Sequence, residues 1–156
     1  MANPLSPEDA ARVDRLVATF RRIGDERMRD LALYNAKLGV EAVGFRRLGE
    51  WLAGVLVTPW FMNFIMLPPA PEALAGSQPG TRRKVVLPRG EETFTVGEVE
   101  DVGPYLAVSI HSPMGQFPDH TGAATAAWAA VEGFFRPKDD QQQAADCSFG
   151  WPEHAR

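Results

Sequence analysis

The chain has 156 residues, 45% hydrophobic and 23% charged, the make-up of one globular domain with a real core rather than of a disordered or fibrous chain. Its 16 basic and 20 acidic side chains give a net charge of −4, the wrong sign for a surface that tracks phosphates, so no nucleic-acid partner is expected. The single cysteine, Cys147, excludes an intrachain disulfide and any site built from several thiolates.

Residues 1–7 lead directly into charged, helix-forming sequence and lack the apolar stretch and small-residue cleavage site of a secretory signal. A cytoplasmic protein is expected. The longest apolar run, residues 55–67, is broken by Thr58, Pro59 and Asn63 and falls short of the ~20 apolar residues of a spanning helix, so no membrane span is expected.

The first helix announces itself at Ser6-Pro7-Glu8-Asp9, where a capping hydroxyl, a proline at the first helical position and two acids suit the helix dipole. Val13, Leu16, Val17, Phe20 and Ile23 recur at three- and four-residue spacing and mark one buried stripe. The pattern predicts that this helix runs past Gly24, because 25–30 is still helix-forming and Asn35 and Gly39 are the stronger stop signals.

Three strands follow at 40–45, 51–57 and 61–67, rich in β-branched and aromatic residues, with Leu48-Gly49-Glu50 as a hairpin turn and Pro59 at a bulge or strand start. Residues 68–83 read as a proline-rich loop holding at most a short helix at 72–75. A second set of strands is predicted at 84–87, 92–99 and 105–110, where Leu106, Val108 and Ile110 alternate with Tyr105, Ala107 and Ser109. The last helix should run from Asp119 to about Arg136, with Ala124, Ala127, Trp128, Val131, Phe134 and Phe135 on its buried side. The expected fold class is α+β: a two-layer sandwich whose antiparallel sheet comes from two three-strand sets flanked by N- and C-terminal helices. One domain is expected over 1–137, with a disordered tail over 138–156.

Little in the chain suggests catalysis. Ser109, His111, Ser112, Asp119 and His120 cluster in sequence, but no strained G-x-S-x-G elbow accompanies either serine, and the cluster reads as structural. His111, His120 and His154 are too scattered for a metal motif, and the glycines lack a phosphate-loop or dinucleotide setting. Neither catalytic residues, metal nor cofactor are expected.

The segment 58–68 is the informative one. As a strand it places Trp60, Met62, Phe64 and Met66 on one face and Phe61, Asn63, Ile65 and Leu67 on the other, so both faces are apolar. A two-layer sandwich buries one of them; the second is either covered or open as an adaptable apolar docking patch. A small-molecule regulatory domain would instead use this strand as a pocket wall, with Thr58 and Asn63 as its polar groups.

Val43-Gly44-Phe45, then 51–63 with its Thr58-Pro59-Trp60-Phe61-Met62-Asn63 block and Leu67-Pro68, resembles the central motif of HybE-type hydrogenase accessory proteins, a group that includes HupJ and HoxT relatives. Leu87-Pro88-Arg89-Gly90, Phe94 to Glu98, Tyr105-Leu106 and the Ser-Pro-Met block ending at Met114 match the downstream pattern in the same order. The resemblance implies a non-enzymatic cytoplasmic chaperone that binds the small-subunit precursor of a nickel-iron hydrogenase, including its twin-arginine signal peptide, and delays export until assembly. Other hydrogenase accessory proteins are further candidate partners. Some relatives carry a rubredoxin domain, which a chain with one cysteine cannot form. On this reading Thr58, Pro59, Trp60, Phe61, Met62, Phe64 and Met66, with Pro113, Met114 and Phe117, are the candidate peptide-binding residues, and the acidic turn of Glu98, Glu100 and Asp101 is the candidate contact for the signal arginines.

Overall fold

Helix α1 spans Pro7–Ile23 and begins as the sequence predicts: the Ser6 hydroxyl accepts from the Asp9 amide at 3.1 Å, and proline opens the first turn. The computed structural model describes residues 5–137, so the disordered tail expected over 138–156 lies outside the described residues. Beyond Ile23 the chain stays helical, as predicted, but not as an α-helix. The chain widens into a π-helical turn, Gly24–Met28, and then breaks into turns up to Leu38. At Gly24 the Trp60 ring lies so close that an added Cβ would sit 3.1 Å from it, so packing against a distant aromatic outweighs local helix propensity.

Six strands follow: β1 (Glu41–Leu48), β2 (Trp51–Val57), β3 (Met62–Leu67), β4 (Arg82–Leu87), β5 (Gly90–Val99) and β6 (Gly103–His111). The loop between β3 and β4 holds only a 3-10 turn at Pro71–Leu74, and helix α2 (His120–Phe135) is capped by the Asp119 carboxylate, which accepts from the Gly122 amide at 2.9 Å. All strand pairs are antiparallel in the order β1-β2-β3-β6-β5-β4, so two three-strand meanders join where β3 meets β6.

The α+β class and the sheet of two three-strand sets stand as expected, but the layering needs correction. The two helices lie on opposite faces of the sheet. Val13, Leu16, Phe20 and Ile23 of α1 pack with Leu52, Leu56, Ile65 and Leu67. Ala123, Ala127, Val131 and Phe134 of α2 pack with Ala53, Val55, Val57, Met62, Phe64 and Met66. The centre is therefore three layers deep, because a strand that is apolar at every position demands cover on both sides. Trp128 is a second correction: it is 52% exposed, since it sits about 100° around the helix from Ala127 and off the buried stripe.

A bulge in β1 sets which of its residues serves which layer. Pairing with β2 shifts between Val43 and Arg46, and Gly44 takes φ +68° there with Val131 packed over it. Without the extra residue Val43 and Phe45 would share a face; with it, Val43 joins the α2 layer and Phe45 the α1 layer. The next two arginines alternate faces as on any strand, and the shift decides which face each takes. Arg46 stacks on Phe135 of α2 at 4.5 Å, and Arg47 forks onto Asp9 of α1 at 2.8 and 2.7 Å.

Asp9 is buried, and its hydrogen bonds from Arg47 hold its carboxyl below the ordinary carboxylate pKa despite the opposing cost of burial. The folded chain therefore holds this proton less tightly than the unfolded one. The stabilisation is complete above the ordinary carboxylate range and fades as pH falls through the lowered folded value. Asp9→Asn should cost about 1–3 kcal/mol at neutral pH and should flatten the loss of stability between pH ~4 and lower values; urea titrations at a series of pH values measure both.

Candidate functional site

The turn between β2 and β3 is built by Thr58. Its hydroxyl accepts from the amides of Trp60 at 3.2 Å and Phe61 at 2.9 Å and donates to the Phe61 carbonyl at 3.1 Å, while the Thr58 amide donates to that carbonyl at 2.8 Å. With the hydroxyl committed to its own turn, one of the two polar groups that a small-molecule pocket along this strand would need is already occupied. Pro59 is placed so that its carbonyl accepts from the Asn35 amide at 2.8 Å. Trp60, buried beneath, stacks on Tyr34 with centroids 6.2 Å apart and meets Phe61 edge-on at 5.6 Å.

The aromatic strand is core, not surface. Met62, Phe64 and Met66 are sealed under α2, with Phe64 stacked on Phe134 at 4.2 Å, and Thr58, Pro59, Trp60 and Met114 are buried too. Of the ten residues the sequence nominates, Phe61 and Phe117 are half-buried and Pro113 is exposed. The fully apolar second face that suggested a docking patch is covered by α1, so the open-face alternative does not hold for Ile65 and Leu67.

An open apolar groove does exist, one step away. The segment 32–37 and the segment 113–118 face each other across a cleft of about 430 Å³ whose walls include Leu33, Tyr34, Lys37, Pro113, Phe117 and Pro118. Asn35 ties the walls together: its side-chain amide donates to the carbonyls of Met114 and Phe117, both at 3.0 Å, and its side-chain oxygen accepts from the Lys37 amide at 3.1 Å. Met114 fills the core below, and Phe117 rests edge-on against His111 at 5.4 Å. Farther along, the Gly39 amide donates to His120 Nδ1 at 3.0 Å, which leaves the proton on Nε2 for Glu41 at 2.8 Å. Leu31 and Leu33 stand 46% and 43% exposed beside this cleft-forming segment. A smaller hollow of about 210 Å³ shares Tyr34 and runs past Gly24, Asp25 and Pro59.

The sequence-nominated residues are thus divided. Pro113 and Phe117 line the groove, as do Leu33, Tyr34, Asn35 and Lys37, which the sequence does not nominate because 25–30 reads as helix and Asn35 only as a stop signal after it. A short apolar run, Leu31 to Tyr34, between Asp30 and the stop signal Asn35 was the available signal. The acidic turn is also not free: Glu100 meets Arg22 at 3.4 Å and Arg27 at 3.1 Å, and Asp101 meets Arg22 at 3.1 Å, leaving Glu98 outside these pairs. The suspected nucleophile cluster does not assemble. His111 accepts from Gln116 at 3.2 Å, both ring nitrogens of His120 are engaged, and Ser109 is exposed. Among the described residues no three His, Cys, Asp or Glu side chains converge as metal ligands would.

Residues 11–149 match the family described as NiFe-hydrogenase assembly chaperone HybE. The hydrogenase expression/formation protein HupJ of Bradyrhizobium diazoefficiens is 41% identical over 129 residues, 83% of this chain and 75% of that protein. The hydrogenase-2 operon protein HybE of Escherichia coli K12 is 31% identical over 98 residues, 62% of this chain and 60% of that one. The solution structure of HybE from Escherichia coli shares the fold, with a TM-score of 0.62 at 22% identity, covering 80% of this chain and 76% of that one.

The burial pattern separates scaffold from groove. Trp60→Ala should lose about 3–5 kcal/mol and Asn35→Ala about 1–2 kcal/mol, whereas Leu33→Ala should stay within about 0.5 kcal/mol of wild type. Equilibrium denaturation of the three variants checks the order, and a Leu33→Ala loss as large as that of Trp60→Ala would contradict it.

Proposed function

The chain belongs to the HybE family of NiFe-hydrogenase assembly chaperones, and from that premise we propose that it acts without catalysis, by binding the small-subunit precursor of a hydrogenase through its twin-arginine signal peptide and delaying export until assembly is complete. The observation that carries this reading is the groove between 32–37 and 113–118, an apolar cleft with exposed leucines beside it. It suits the apolar stretch of a signal by helix-in-groove or extended docking. Lys37 is the one charged residue among those lining the cleft, so the signal's arginines are repelled from the cleft itself.

The arginines fit the acidic turn instead. Glu100 and Asp101 are held by Arg22 and Arg27 in exposed pairs, and such pairs are worth only ~0–1 kcal/mol. Incoming arginines exchange for the chain's own at small cost, and Glu98 adds an acid outside those pairs. Apolar burial then carries most of the affinity and charge mainly the orientation and on-rate.

A synthetic signal peptide titrated against the full chain tests the division of labour. Leu33→Ser and a peptide with a polar-substituted apolar stretch should each weaken binding by about tenfold or more, equivalent to 1.4 kcal/mol. The Glu98→Gln, Glu100→Gln, Asp101→Asn triple variant should have a smaller effect that vanishes at high salt. Binding indifferent to the polar substitution would refute groove docking. A peptide that never binds, beside a whole precursor that does, would place the contact on the folded part of the subunit.

A further inference from the structure

Strand β4 forms one edge of the sheet and pairs with β5 alone, so one side of its backbone has no ladder partner. Three consecutive cations, Arg82, Arg83 and Lys84, stand exposed on it, followed by Val86 at 81% exposure. In a chain of net charge −4 this is a local reversal of sign.

The register places no carboxylate opposite those charges. Arg82 lies opposite Thr95, Arg83 opposite Phe94 and Lys84 opposite Thr93, while of the acids of β5 Glu91 and Glu92 fall opposite Val86 and Val85, and Glu98 pairs with Pro104 of β6. Opposite charges placed directly across a ladder stabilise a sheet, and a shift of the acids by two residues along β5 would have provided that. Glu92 instead pairs with Arg89 at 3.0 Å in the hairpin, and Arg83 donates to the Ser77 hydroxyl at 2.8 Å. No ion pair joins any of the three cations to a carboxylate among the described residues. Charges on an edge strand guard against pairing with copies of the same chain, because like meets like. They give no such protection against a strand of the opposite sign.

We infer that the β4 edge is a second docking surface, which takes an extended acidic segment of a partner protein as an added strand. The backbone edge supplies the ladder hydrogen bonds, Arg82 and Lys84 meet the segment's carboxylates on one face of the strand, and the half-buried Val85 on the other face meets its apolar side chains. A basic signal peptide is repelled here, so this surface is distinct from the groove and serves a different part of the precursor or a separate assembly partner.

The probes are a labelled synthetic peptide alternating Glu with Val, the same composition interrupted by two central prolines, and phosphatidylglycerol vesicles. The alternating peptide should bind the full chain and slow hydrogen exchange at β4 amides. The proline peptide, with equal charge but unable to complete a ladder, should bind at least about tenfold more weakly. Arg82→Glu with Lys84→Glu should weaken the alternating peptide about tenfold or more and leave signal-peptide binding unchanged. The milder Arg82→Gln, Lys84→Gln variant provides the same comparison if charge reversal disturbs folding. Absence of binding, equal binding of both peptides, unaltered β4 exchange, or capture by the vesicles in preference to the peptide would each overturn the inference.

Discussion

Cover on both faces of the sheet is the constraint from which the rest of the structure follows. Once α1 occupies one face and α2 the other, β2 and β3 have no solvent-facing side at their centre. Leu52, Ala53, Val55, Leu56 and Val57 are all buried, as are Met62, Phe64, Ile65, Met66 and Leu67. A period-2 polar alternation there would bury unpaired polar groups at a cost of about 1–3 kcal/mol each. The edge strand β1 lends residues to both layers, and its bulge at Gly44 swaps the faces of those that follow with a single extra residue. Arg46 and Arg47, adjacent and therefore on opposite faces, tie β1 to opposite helices.

The same constraint explains what could be read from the chain and what could not. Caps and periods are local, so Ser6 and Asp119, the six strands and the two helices were legible. Layer number is not local. An all-apolar strand looks the same whether its second face is a docking patch or lies under a helix, and only the placement of α1 decides it. Trp128 failed for a related reason: periodicity locates a stripe to within about one residue, and one residue is about 100°. The groove was least legible, because its walls lie some 80 positions apart in sequence and are joined by Asn35 through backbone carbonyls, contacts with no side-chain pattern to betray them.

Charge placement separates surfaces in a way that composition hides. The acidic turn at Glu100 and Asp101 is compensated from within by Arg22 and Arg27, whereas the cations of β4 face threonine and phenylalanine across the ladder. Net charge describes neither. What a partner meets is the residual after internal pairing, so an acidic run already paired is a weaker attractant than its sequence suggests, and a short basic run left unpaired is a stronger one.

The block that carries the family resemblance has a physical task different from the one its aromatic content suggests. Thr58 closes a turn with its hydroxyl, Pro59 presents a carbonyl to Asn35, Trp60 wedges against Gly24 and Tyr34, and Met62 lies in the core. Each residue fixes where another segment goes, and together they place the 29–39 loop against the 112–118 loop and so create the groove. A rare sequence block can therefore identify the fold while contributing few surface atoms of its own. Of the groove residues, Leu33 is accessible without being part of the core, whereas Phe117 is half-buried and packs against it. Altering the block moves the walls of the groove; altering Leu33 leaves the block in place.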